Sequence, residues 1–109
     1  MSNTLFPTLR RDVAGIPVAE LAARFGTPTY VYDQATIDAK IEALRQFDVI
    51  RYAQKACNNI AILDRMRRKG VLVDAVTSGE VQRAMRAGFQ PQGDPHPIVY
   101  TSDLLDRAG

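Results

Sequence analysis

From Val49 onward the chain repeats one pattern, and that pattern limits its fold more than any other feature. A short β-branched run comes first, then a polar break, then apolar residues at helical spacing, then a glycine. Strands joined by helical crossovers return in the same direction, so the repeat predicts a parallel sheet and an α/β fold. The strands are nearly continuous apolar runs, as expected where a sheet is covered by helices.

The first strand is expected over Val49-Ile50-Arg51-Tyr52-Ala53, leading to Lys55 at its C-terminal end. Asn58 or Asn59 caps a helix with Ile60, Leu63 and Met66 facing inward, and Gly70 stops it. Val71-Leu72-Val73-Asp74-Ala75-Val76 is the second strand. Glu80 starts the next helix, with Val81, Ala84 and Met85 on its buried side and Gly88 at its end. A proline-containing loop from Gln90 to Pro97 precedes a third strand, Ile98-Val99-Tyr100-Thr101. Ser102 or Asp103 then caps a helix carrying Leu104 and Leu105.

Upstream the pattern is less regular. Residues 1–15 are polar, contain Pro7 and Arg10-Arg11, and read as poorly ordered. Pro17 suits a first helical position ahead of Val18, Leu21, Ala22 and Phe25, with Gly26 as the terminator. Thr29 to Tyr32 reads as a strand with Pro28 near its start. Asp33 caps a helix whose apolar stripe, Ile37, Ile41 and Leu44 with Phe47 closing it, is expected to pack.

Composition excludes more than it specifies. A net charge of +2 over 109 residues, without a clustered patch, argues against nucleic acid or a membrane surface as partner. The basic run Arg65 to Lys69 falls in the last turn of a helix, where cations complement the macrodipole. One cysteine, Cys57, cannot form an internal disulfide and fits a reducing, cytoplasmic setting. No apolar run is long enough to span a bilayer, and residues 1–13 have no apolar signal core.

Lys55 is the candidate for chemistry, because the C-terminal ends of parallel barrel strands are where active sites are built. A charged amine at the mouth of a buried strand loses hydration unless compensated; the alternative is a packed stem with its amine in solvent. Asp74 shares strand parity with Val76 and Ser78, and as a strand-end carboxylate it suits a site or a structural hydrogen bond equally. No Gly-x-Gly-x-x-Gly or Walker loop follows any strand, which removes the dinucleotide and P-loop readings. What stays open is a small open-sheet domain, or the N-terminal portion of a parallel (β/α)8 barrel, which takes ~250 residues when whole.

Three segments carry a family resemblance. Gly26-Thr27-Pro28-Thr29-Tyr30-Val31-Tyr32-Asp33, then Tyr52-Ala53-Gln54-Lys55-Ala56, then Val73-Asp74-Ala75-Val76-Thr77-Ser78-Gly79-Glu80 closely resemble the diaminopimelate decarboxylases. Each segment alone is weak; three in the right order, over about Pro17 to Gly109, are specific. The chain departs from many members at Cys57, where they have Asn, and at Thr77-Ser78, so Ser78 receives no contact.

The resemblance implies a barrel of the alanine-racemase type plus a β-domain. Residues 1–33 would contribute to the β-domain, and 34–109 would form the first βα units of the barrel. It implies pyridoxal 5'-phosphate as cofactor, Lys55 as its covalent anchor, and a cofactor pocket faced by Asp74. Burial there would favour the neutral amine that condensation with a carbonyl requires. The implied reaction is decarboxylation of meso-diaminopimelate to L-lysine and carbon dioxide, in a cytoplasmic homodimer of lysine biosynthesis. Alternatives on the same scaffold are decarboxylases of ornithine, arginine or carboxynorspermidine, or a non-catalytic pyridoxal-phosphate-carrying barrel. Glu80 is a weaker site candidate at a helix start. His96, in the loop before the third strand, reads as a surface residue.

Overall fold

The computed structural model describes residues 9–101, which fall into two compact units divided between Lys40 and Ile41. The helix expected after Ser102 lies outside the described residues.

In the first unit, β1 (Asp12–Val13) pairs antiparallel with β2 (Ile16–Pro17). Ala14 and Gly15 make the turn at φ 52 and 79, the left-handed pair that a two-residue hairpin requires. This corrects the expectation of poor order for residues 9–15. The Ala-Gly pair between two short runs was the available signal. Pro17 is the N-cap of α1 (Val18–Phe25) rather than its first helical residue, so the helix starts one residue later than expected, and Gly26 ends it at φ 82. Of the expected stripe only Leu21 is buried; Val18 and Phe25 are exposed.

Thr29 to Tyr32 is not a strand here, because a strand needs a ladder partner and no described residue supplies one. Tyr30 is 91% exposed. Asp33 caps α2 (Gln34–Glu42) as expected, accepting from the Ala35 N–H and from the Thr36 hydroxyl, each at 3.0 Å. The expected stripe is again corrected: Ile41 is buried, but Leu44 and Phe47 are exposed.

The second unit contains the parallel sheet. Its strands β3 (Arg51–Ala53), β4 (Leu72–Ala75) and β5 (Ile98–Tyr100) lie in chain order. The crossovers are α3 (Ile60–Arg68) and α4 (Ser78–Arg86). Successive crossovers in one direction place both helices on one face. They touch there, and the Arg67 Nε–H donates to the Ala87 carbonyl at 3.1 Å.

Burial alternates accordingly. Val73 and Ala75 are fully buried, whereas Leu72 and Asp74 are not. Leu63 and Met66 of α3, Ala84 and Ala87 around the end of α4, and Phe89 complete this core. Ile60 and Met85, expected inside, are exposed. The buried line on α4 is Glu80-Ala84-Ala87, at i, i+4 and i+7. Asn59, of the two candidate caps, closes α3 by accepting from the Ala61 N–H at 2.9 Å. Its basic last turn is tied by Asp64, which pairs with Arg67 at 2.7 Å and Arg68 at 2.8 Å. Those two guanidiniums, Arg67 first, hold the Asp64 carboxyl below the usual carboxylate value.

Candidate active site

The site is built at the C-terminal end of the sheet, on the face without helices. Register sets its floor: Ala53 of β3, Asp74 of β4 and Val99 of β5 stand side by side. Side chains in register on parallel strands point the same way, so these three share the open face. Ala53 is exposed, and Asp74 and Val99 are half-buried.

Lys55 follows β3 directly, in a turn closed by the Ala56 N–H donating to the Ala53 carbonyl at 3.2 Å. It is exposed, as in the alternative with its amine in solvent, and no described residue hydrogen-bonds or ion-pairs with its amine. The reason is the open face: no second layer covers this end of the sheet among the described residues. Asp74 is occupied: its Oδ1 accepts from the Thr101 hydroxyl at 2.6 Å. The fold brings Lys55 and Asp74 to the same end of neighbouring strands without bonding them to each other.

Around these two, other polar groups are committed to the scaffold. Arg51, on the same face, donates to the His96 carbonyl at 2.8 Å, tying β3 to the loop before β5. The His96 side chain is exposed, as expected for that loop. Tyr52 donates its hydroxyl to the Cys57 carbonyl at 2.7 Å, which fixes the turn that carries Lys55. Partial burial, with a further contribution from Cys57, raises the Tyr52 hydroxyl above its ordinary value.

Glu80 belongs to the scaffold as well. Thr77 caps α4 by accepting from the Glu80 N–H at 3.1 Å, so the helix starts at Ser78 rather than Glu80. The Glu80 carboxylate reaches back to accept from the Val76 N–H at 2.6 Å. Glu80 thus resembles the acidic member of a capping box but reaches one residue further back, to the residue before the N-cap, and its carboxylate is committed to the scaffold.

Two residues were missed in the sequence. In the sequence Thr101 is only a strand end; its bond to Asp74 requires the β4–β5 offset, which no local signal gives. Gln54 is fully buried, and neither side-chain polar atom has a partner among the described residues. Strand alternation from Tyr52 puts it on the face opposite Lys55, and that much is readable in the sequence.

The residues present fit a carbonyl cofactor held through an amine. They offer an exposed, unpartnered primary amine beside the small Ala53, with a carboxylate at the next strand end. Among the described residues no group of three His, Cys, Asp or Glu is placed to hold a metal. No described helix is long and apolar enough to cross a membrane.

Comparison with known proteins points the same way. Residues 34–108 match the family model described as the pyridoxal-binding domain of pyridoxal-dependent decarboxylases. The chain is 55% identical over 102 residues to the diaminopimelate decarboxylase of Streptomyces coelicolor, covering 94% of this chain and 23% of that protein. Against the diaminopimelate decarboxylase of Escherichia coli K12 it is 49% identical over 108 residues, 99% of this chain and 26% of that one. A crystal structure of diaminopimelate decarboxylase matches with a TM-score of 0.78 at 54% identity, over 82% of this chain and 21% of that chain. The chain therefore spans about a quarter of the length of the curated relatives it matches.

Proposed function

Because the chain belongs to the pyridoxal-dependent decarboxylases, we propose that the whole protein removes carbon dioxide from meso-diaminopimelate, giving L-lysine. The observation that carries this reading is Lys55, an exposed and unpartnered amine at the C-terminal end of β3. It stands within a segment that resembles the family's lysine motif.

In this reading Lys55 holds pyridoxal 5'-phosphate through its amine, and Asp74 presents a carboxylate on the same face. Bound there, the cofactor supplies an electron sink for the charge left on the substrate carbon when carbon dioxide departs. Ala53 keeps the face between the two side chains low enough for a ring to lie against the sheet. The Tyr52–Cys57 bond holds the turn of Lys55, which fixes where the amine is delivered. Orientation of this kind is a large part of what a protein adds to such chemistry.

The finer architecture belongs to the same proposal. Consecutive strand order and helices on one face only are what a (β/α)8 barrel requires of its first units, with the open face turned inward. Residues 1–33 would join a β-domain, and the exposure of Tyr30 and Val31 supports a partner for that segment outside the described residues. Residues that bind the phosphate and select the substrate would come from the rest of the protein, which would act as a homodimer.

The direct test is carbon dioxide release by the full-length protein, loaded with pyridoxal 5'-phosphate and offered meso-diaminopimelate, ornithine or arginine separately. Release from meso-diaminopimelate well above the others is expected. Preferential turnover of ornithine or arginine would move the assignment to a sibling activity, and release from none would remove it.

A further inference from the structure

Building on the proposed cofactor site, we infer that Thr101 is a positioning residue that holds the Asp74 carboxylate in one orientation on the open face. Three observations carry this. The Thr101 hydroxyl donates to Asp74 Oδ1 at 2.6 Å, within the short range typical of a hydroxyl donating to a charged oxygen. The Thr101 N–H donates to the Ala75 carbonyl at 2.8 Å, so the backbone that carries this hydroxyl is locked to β4. A β-branched side chain on a fixed backbone has few rotamers, which narrows where the hydroxyl can go.

The bond is not needed for the fold. β4 and β5 are already paired over Val73 to Ala75 and Ile98 to Tyr100, and the Thr101 N–H extends that ladder by one residue. Thr101 is exposed and Asp74 only half-buried, so the hydroxyl bond replaces one that water would make and adds little stability. What it does is select one carboxylate rotamer. With Oδ1 committed to Thr101, Oδ2 makes no hydrogen bond among the described residues and is the oxygen left for a group over the face.

The test is titration of full-length apoprotein with pyridoxal 5'-phosphate, followed by absorbance, for wild type, Thr101→Val, Thr101→Ser, Asp74→Asn and the Val/Asn double variant. Thr101→Val keeps shape and loses the hydroxyl; it should weaken cofactor binding roughly three- to tenfold, the size of one ordinary net hydrogen bond between solvent-accessible groups. Thr101→Ser should restore wild-type affinity, and the thermal midpoint of the apoprotein should be the same in all three. In the Asp74→Asn background the Val substitution should add no further loss, because the two residues act as one unit. Wild-type affinity of Thr101→Val beside weakened binding by Asp74→Asn would overturn the inference and leave the Asp74 reading standing. The same loss from Thr101→Val in both backgrounds would also overturn it. Wild-type affinity of Asp74→Asn would remove the Asp74 reading itself. Thr101→Ala, which likewise lacks the hydroxyl, takes the place of the valine variant if that chain does not fold.

Discussion

On one face of the β3–β4–β5 sheet, Val73 and Ala75 are sealed at 0% exposure; on the other, Ala53 and Lys55 stand open beside a half-buried Asp74. Both faces are set by the same strands, one residue out of phase. Gln54 apart, the covered face is apolar, and burial of its side chains stabilises the unit. The open face carries a small residue, an amine and a carboxylate beside Val99, a mixture that does little for a core. A sheet that spends one parity on packing leaves the other free for chemistry, and substitutions on the two faces should therefore fail in different ways.

The largest difference is expected at Lys55. Lys55→Ala in the full-length protein should lower turnover by several orders of magnitude and remove the visible absorbance of the bound cofactor, since covalent catalysis depends on the amine. Its thermal midpoint as apoprotein should match wild type, because an exposed side chain without partners holds nothing together. A variant that loses activity only by unfolding would erase the distinction between the faces.

Next come the groups beneath the covered face. Leu63→Ala, at 0% exposure, should destabilise by about 2–5 kcal/mol through lost burial and the cavity left behind. The fraction that stays folded should still bind cofactor. Glu80→Ala should cost about 1–3 kcal/mol, because the Val76 N–H loses its acceptor in a part-buried place. Glu80→Gln, which keeps an acceptor oxygen, should recover part of it. Thermal melts that rank Leu63→Ala above Glu80→Ala, and Glu80→Ala above Glu80→Gln, would sharpen the division.

The smallest effect is electrostatic and lies on the outer surface of α3. The Asp64 carboxyl is held below its ordinary value of 3.8 by Arg67 and Arg68. A lowered folded value means stability that is fully present above pH 3.8 and is lost as pH falls through the lowered value. Asp64→Asn should therefore be slightly less stable than wild type near neutral pH, and the gap should close in acid. A gap that persists to pH 2 would show that the arginines contribute through packing instead.

How much of this could be read beforehand differs between the same two faces. Local rules were reliable: Asp33 and Asn59 cap their helices, Gly26, Gly70 and Gly88 take positive φ, and three strands alternate with helices as the apolar runs require. Burial was harder, because helical spacing shows which residues share a face and not whether anything covers it. Phe25, Leu44 and Phe47 look like core by spacing and are exposed. Thr29 to Tyr32 has strand composition without a ladder partner. On the open face, Lys55 and Asp74 were legible as chemical types at strand ends. The link from Asp74 to Thr101 was not, since it depends on the register between β4 and β5, in which Val73 stands opposite Ile98 and Asp74 opposite Val99.

The central claim is that the open face of this sheet holds the cofactor through Lys55. Full-length protein loaded with pyridoxal 5'-phosphate, reduced with borohydride and digested, reports by mass spectrometry which lysine carries the pyridoxyl group. The account predicts the label on Lys55 and none on Lys40 or Lys69. A label confined to any other lysine, with Lys55 unmodified, would contradict it.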